Sequence, residues 1–389
     1  MRDLIFRRGR ALGRIQASLA RRFRMAGHHE RGAIGVLVGV LIGGGMLFGI
    51  GALVVDTGQL YQNRAELQNG ADAAALAVAK SCIKGTCTPS IATQYVTGYT
   101  NASKLTGGTD AVDLVCGSGS LGACPAGIST APITDCPANP SSGNYVDVHT
   151  STKLSGGSTL LPPVFARTLA GNGNYQGSTV HACAQAEWGA PSTATTIGVT
   201  ISACTWDQAT SLGTSFAPPP PYPPNPSASF DQVLQLHGTS NSSTSGCSTE
   251  PAGADGPGNF GWTSDLLGNC TVTISNGTYG GSTGNSVSGD CQTALLNAWT
   301  SKSVVYIPVY VSIMNPGNNA TYTLKGFAAF VVTGYHMPGQ AKESDWLNPA
   351  NDCKGSEFCL NGFFTQGLIP STGSLGGPNL GAYIVKLTG

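Results

Sequence analysis

The chain has 389 residues, is formally neutral, and is charged at only 10% of its positions, while glycine supplies 54 of them. A usual globular chain is about a quarter charged, so this surface must be solubilised by Ser, Thr, Asn and backbone. That profile speaks against a cytosolic enzyme and suits secreted, loop-rich β structure.

In chain order, residues 1–31 form a basic tail with nine arginines against Asp3 and Glu30, a net +7 that leaves −7 for residues 32–389. Leu4, Ile5, Leu12, Ile15 and Leu19 are loosely amphipathic, which suits either a helix lying on the inner membrane face or a solvated flank. Beside a membrane span this tail is not expected to bind nucleic acid, and His28-His29 reads as a solvated pair. From Gly32 to Val55 run 24 residues without a charge. As a helix they extend about 36 Å, enough to cross a hydrocarbon core of about 30 Å. Arginines on one flank predict a cytoplasmic N terminus and an exported C-terminal bulk, a single-pass membrane protein. Gly35, Gly39 and Gly43 recur every four residues, as do Gly45 and Gly49, a spacing that lets helix backbones approach closely.

Past Asp56 the helical pattern continues. Leu60, Leu67, Ala71, Ala74, Ala75 and Val78 keep spacings of three, four or seven, and no proline intervenes. An unbroken helix from Ala33 to Ala79 would be about 70 Å long, so 32–80 reads as one span with a helical extension. Its alanine face predicts close packing against another helix. Asp56 is expected to mark the membrane interface or to pair with a partner.

Residues 81–216 read as an exported α+β domain. Strands are expected at Tyr145–Thr150, Thr179–Trp188 and Ala194–Ser202, and a short helix at Pro162–Leu169. Thr97–Gly143 has turn composition and reads as a stapled loop. Ala217–Pro226 (APPPPYPPNP) favours polyproline II, so 217–227 is expected to be a linker. Residues 228–389 form a β-rich domain with its strongest strands at Tyr306–Ile313 and Tyr322–Tyr335 and long loops over 238–290. The fold class expected is α+β: one transmembrane helix, then a disulfide-rich, mostly β exported region.

All twelve cysteines follow the span, from Cys82 to Cys359. An even set in an oxidising compartment reads as disulfides, with Cys82–Cys87 and Cys353–Cys359 the natural local pairs. A zinc site is the alternative, but no C-x2-C pair is followed by a second, and His149, His181, His237 and His336 are scattered singly. Gly280-Gly281-Ser282-Thr283-Gly284 matches a G-x-S-x-G nucleophile elbow but lies in a Gly/Ser/Thr tract. Asp255, Asp265 and Asp290 lack calcium-loop spacing. Asn101, Asn241, Asn269, Asn276 and Asn319 open N-x-S/T sequons, several of them chance matches in so Ser/Thr-rich a chain. We therefore expect no catalytic, cofactor or metal residues and no small-molecule substrate.

One segment carries more than composition. Arg31-Gly32 precedes the Gly-rich span, Asp56-Thr57-Gly58 follows it, and Leu67-Gln68 leads into Ala71-Asp72-Ala73-Ala74-Ala75-Leu76-Ala77. In this order, residues 31–79 closely resemble the N-terminal region of the TadE/TadG-like family of Flp (Tad) pilus-assembly proteins. The resemblance implies an envelope-anchored, non-enzymatic component of a pilus or related secretion assembly. Its partners would be other assembly subunits, met through the membrane and juxtamembrane helix, and the lipid bilayer. Pilin-like members carry glutamate at the fifth mature position, which here is Leu37 counting from Ala33, so the chain looks like the larger, uncleaved TadG type. The D-x-S-x-S metal site of some large TadG-type proteins is absent from the sequence.

The rival reading is a membrane-anchored surface adhesin or carbohydrate-binding protein, resting on aromatic β structure around Trp262, Trp299 and Tyr306–Tyr335. A hydrolase using Ser282 is a third. For the uncleaved anchor, mass spectrometry of the membrane-extracted protein should find the Met1 tail intact; a mature N terminus at Ala33 would identify a processed pilin.

Overall fold

The computed structural model describes residues 31–102, 109–125, 136–140, 143–153, 177–236, 247, 260–264, 269–275, 277–282, 287–315, 320–369 and 373–388. The basic tail, the helix expected at Pro162–Leu169, and His28, His29, His237, Asn241, Asp255, Asp265, Asn276 and Asn319 lie outside the described residues. In order come α1 (Arg31–Ile83), α2 (Ser90–Ala102), β1 (Thr109–Gly117), β2 (Asn144–Lys153), β3 (His181–Gly189), β4 (Thr193–Ile197), β5 (Val199–Ser202) and α3 (Ala203–Ala209). Then follow β6 (Gln232–Gln235), β7 (Phe260–Thr263), β8 (Thr271–Ser275), β9 (Thr278–Ser282), α4 (Gly289–Ser301), β10 (Val304–Met314), β11 (Thr321–Met337) and β12 (Ala341–Glu343). The last strands are β13 (Cys359–Thr365), β14 (Gly367–Leu368), β15 (Asn379–Leu380) and β16 (Ala382–Leu387). The class is α+β, one long apolar helix followed by a mostly β region.

Two compact units divide the chain, Met1–Asn63 with Leu160–Thr179, and Arg64–Thr159 with Val180–Gly389. In the first, α1 carries its apolar residues outward. Its 53 residues make it about 80 Å long in all, since nothing in the sequence breaks the backbone ladder between Arg31 and Ile83.

The second unit holds two large sheets. The five-stranded one runs β1-β2-β3-β16-β14. Val146 and Val148 of β2 and Ala184 and Ala186 of β3 point to one face, where they are buried together with Ala71, Ala74, Ala75, Val78 and Ala79 of α1. The alanine face was expected to meet a helix. It meets both a helix and a sheet: Ala92 and Val96 of α2 belong to the same buried cluster. Alanine suits this because a methyl group lets the helix axis approach the pleated surface, and the strand valines fill what remains. Gln68 Nε2 donates across the joint to the Cys183 carbonyl at 2.9 Å and along the helix to Asp72 Oδ1 at 2.8 Å.

In the second sheet the pairings β10–β5–β7–β9–β11 return to β10, closing a ring, and β13 and β6 continue from β11. Ile201, Phe260, Ile307, Val309, Phe330 and Val332 fill its core. β10 and β11 occupy the two strands read from the sequence, each slightly longer. Ala194–Ser202, read as one strand, is two: β4 pairs with β8 and β5 with β7 and β10, and the break falls at Gly198. There an added Cβ would meet the Cys270 sulfur at 3.0 Å. The stretch Thr97–Gly143, read as loop, contains β1, which pairs with β2 through a bulge at Asp113.

Strands from either side of 217–227 share these sheets, β16 lying beside β3 and β10 beside β5. The proline segment, expected as a linker, is a strap on that shared body. Ala217 N–H donates to the Phe364 carbonyl at 3.0 Å, and Thr365 Oγ1 donates to the Ala217 carbonyl at 2.8 Å. The Tyr222 ring packs against Trp346 and Phe363, with centroids 6.0 and 6.1 Å apart. Apolar burial of one aromatic side chain outweighs the freedom a spacer would keep.

Six disulfides take all the cysteines: Cys82–Cys87, Cys116–Cys124, Cys136–Cys183, Cys204–Cys247, Cys270–Cys291 and Cys353–Cys359. Both local pairs expected from spacing are among them.

Ala74 is fully buried and Ala65 exposed on the same helix. Ala74→Leu should therefore lower stability by about 1–3 kcal/mol through overpacking, while Ala65→Leu leaves it nearly unchanged. Unfolding of the detergent-solubilised chain checks this, and equal effects at both positions would refute the tight helix–sheet joint.

Candidate functional site

Three groups of residues were singled out by their chemistry: the apolar half of α1, the polar face of the five-stranded sheet, and a pair of buried aspartates.

The apolar half of α1 inverts the usual pattern of a soluble helix. Leu37 is 62% exposed and Leu53 63%, whereas Asp56, the carboxylate at the end of the stretch, is 8% exposed. Showing hydrocarbon and shielding charge is what a lipid environment requires. Helix α1 is long and apolar enough to cross a membrane. Polar side chains at its exit turn back onto the helix. Thr57 Oγ1 donates to the Leu53 carbonyl, and Asn63 Nδ2 donates to the Gln59 carbonyl at 2.7 Å. Each satisfies its donor without water. Asp56 does not end the helix, which continues to Ile83.

Where α1 meets β1, burial pushes the Asp110 carboxyl up to about 6, and the nearby Glu66 carboxylate adds to the rise. The far face of the same sheet is polar. Asp147 and His149 of β2 alternate with the valines that face α1, and His181, Cys183 and Gln185 of β3 lie opposite. His181 Nδ1 is 3.7 Å from Asp113 Oδ2, and Ser151 Oγ donates to Asp113 Oδ1 at 2.8 Å. Burial lowers the His149 pKa; Asp113 counters this and His181 reinforces it. His149 and His181, scattered in the sequence, are thus neighbours on paired strands. The signal for this was the period-2 alternation of both strands, which register alone converts into adjacency. The sulfurs of Cys116 and Cys124 come near a carboxylate oxygen of Asp147 in metal-ligand fashion. Those sulfurs are bonded to each other, so this trio offers one carboxylate and no thiolate.

Ser282 ends β9 opposite Trp262, and the next described helix begins at Gly289. Asp290 lies in the first turn of α4, behind the Ser288 cap, where its charge complements the helix dipole. Asn269 Oδ1 accepts from the Thr271 N–H at 3.1 Å, closing an Asx turn. His336 Nδ1 lies 2.8 Å from the Glu357 carbonyl. The aromatics that suggested a sugar-binding surface are largely interior: Trp262, Tyr310, Tyr322 and Tyr335 are buried, and Trp299 Nε1 donates to the Ser344 carbonyl at 3.0 Å.

Composition gave no warning of the aspartate pair. Asp231 precedes β6, and Asp345 sits between β12 and β13, in a segment drawn against β11. At Gly334 of β11 an added Cβ would lie 2.8 Å from the Asp345 backbone, so that approach needs glycine. Thr333 Oγ1 donates to Asp231 Oδ1 at 2.8 Å, and Asn351 Nδ2 to Asp231 Oδ2 at 2.7 Å. Asn361 Nδ2 donates to Asp345 Oδ2 at 3.1 Å, and the Leu347 and Asn348 N–H groups donate to Asp345 Oδ1 at 2.8 and 2.9 Å. The two carboxyls also hydrogen-bond one another. Asp231 is pushed up to about 7, first by burial and then by Asp345, against the downward pull of Asn351 and Thr333. The Asp231 carboxyl, held protonated beside Asp345, therefore joins the β6 approach to the 345–352 segment as a clasp.

Residues 32–81 match the family model described as putative Flp pilus-assembly TadE/G-like. The match covers α1 almost end to end and none of the sheets. No curated protein and no solved structure matches the chain.

An acid whose pKa is raised on folding binds more protons in the native state, so its contribution is complete below the unfolded value and is lost as pH rises. For Asp231 the loss should run from about 4 to about 7, and Asp110 adds the same sign between about 4 and 6. Asp231→Asn should flatten the upper part of that decline, measured as unfolding midpoint against pH. An unchanged slope in the variant would assign the pH dependence elsewhere.

Proposed function

We propose that this protein is a membrane-anchored, non-enzymatic component of a Tad/Flp-type pilus or a related secretion assembly. The observation that carries the reading is the coincidence of the TadE/G-like match at 32–81 with a helix whose apolar side chains face outward and whose Asp56 is shielded. The first half of α1 holds the chain in the bilayer, and the second half is bolted to the five-stranded sheet. Partners are other assembly subunits, met along the membrane and juxtamembrane helix, and the lipid itself.

The N terminus is cytoplasmic and the bulk extracytoplasmic in this proposal. Nine arginines before the span and twelve cysteines after it support that orientation. No step of the role requires a nucleophile, a metal or a bound substrate.

Deleting the gene should abolish assembled pili, with restoration by the full chain and not by residues 64–389 alone. Intact pili with lost surface attachment would instead favour an adhesin. Protease added to intact spheroplasts should degrade everything beyond about residue 60 while sparing the arginine tail, and the reverse pattern would overturn the orientation.

A further inference from the structure

Helix α1 ends beside a cleft of about 460 Å³ that none of the foregoing uses. Its floor is apolar, formed by Ile83, Val304, Leu368 and the rings of Pro219 and Pro220, and Lys80 and Lys84 stand at its lip one helical turn apart. Among the described residues no acidic side chain lines it. Both lysines are exposed, and among the described residues neither ammonium group is paired with a carboxylate, the ion pairs there being His181–Asp113 and Lys325–Asp207. One cation in a last turn complements the helix dipole; Lys84 lies beyond the last turn, and its charge is surplus to that need. Gln366 adds an amide at the wall. The Tyr306 hydroxyl is already engaged, donating to the Leu368 carbonyl.

The cleft thus presents hydrogen-bond donors and positive charge above hydrocarbon. A ligand that fits it carries carboxylates and apolar groups together, and the volume suits several side chains rather than a lone anion. The wall formed by Gly367 and Leu368 is β14, the terminal strand of the five-stranded sheet, with no further strand paired to it among the described residues. Its Leu368 carbonyl is the one Tyr306 occupies, so recognition here falls to side chains, and a polypeptide segment presents carboxylates and apolar groups on alternate sides of one backbone. We propose that the cleft docks an extended acidic peptide segment of a partner protein, its carboxylates on Lys80 and Lys84 and its alternate apolar side chains on the floor. This docking is independent of which assembly the membrane helix joins, since every residue in it belongs to the second unit.

The test uses the full chain in a neutral detergent and the fluorescence anisotropy of a labelled octapeptide that alternates glutamate with valine. That peptide should bind, more weakly as salt rises, while versions with lysine for glutamate or serine for valine should not. Lys80→Gln with Lys84→Gln, two exposed changes that leave the core intact, should weaken binding about tenfold or more. A single Gln366→Ala should weaken it less. Equal binding of the glutamate and lysine peptides, binding unchanged in the double variant, or no binding at millimolar chain would overturn the proposal. Occupancy by octanoate without any binding of the peptide would overturn it too, assigning the cleft to a free carboxylic acid.

Discussion

Ala71, Ala74, Ala75 and Ala79 bring α1 down onto β2 and β3, and most of what distinguishes this molecule depends on that contact. A helix long and apolar enough to cross a bilayer leaves the side chains of its first half exposed, so its hold on the second unit comes from the part beyond that stretch. Small side chains against a valine surface supply it, because close approach maximises dispersion contacts over a long seam. Larger residues at those positions would lift the helix off the sheet.

Charge is scarce on this chain, and where it occurs in the interior it is arranged with unusual economy. Asp231, its pKa raised by burial and by Asp345, sits with that aspartate inside a shell of Thr333, Asn351, Asn361 and two backbone N–H groups, which spares the body a second buried anion. Lys325 pairs with Asp207 and lies over the Trp206 ring, and Lys302 lies over Trp346. With few surface ion pairs to lose, mechanical constraint falls to covalent staples and to the proline strap. Cys136–Cys183 ties a segment outside the sheet to β3, and Cys204–Cys247 ties α3 to a cysteine in a stretch of sequence rich in Gly, Ser and Thr.

Much of this was legible beforehand for identifiable reasons. The long helix followed from spacing and the absence of proline, β10 and β11 from dense runs of Val, Tyr, Phe and Ile, and the local disulfides from short cysteine separations. Helices α2 and α4 were not legible, because Thr, Gly, Asn and Ser dilute their helical pattern and packing supplies the stability that propensity lacks. The strap was misread because polyproline composition is the same in a spacer as in a docked segment, and only Trp346 and Phe363, more than a hundred residues later, decide between them. The aromatics that hinted at a sugar surface were misplaced for a related reason: a long β strand rich in Tyr and Phe looks alike whether one face or both are covered.

What the sequence determined by itself is local: an uncharged run of membrane length, an arginine flank, an amphipathic continuation, and enough cysteine to staple the body that follows. These depend on one-dimensional period and composition, which hydrophobicity and backbone geometry read directly. Only the tertiary structure decided that β16 returns to β3, that β10 closes on β5, that His149 meets His181, that Asp231 meets Asp345, and that Lys80 and Lys84 overlook a cleft walled by prolines. Each of these joins residues far apart in the chain. Such pairings are set by which surfaces exclude water together, a property of the assembled layers and not of any segment.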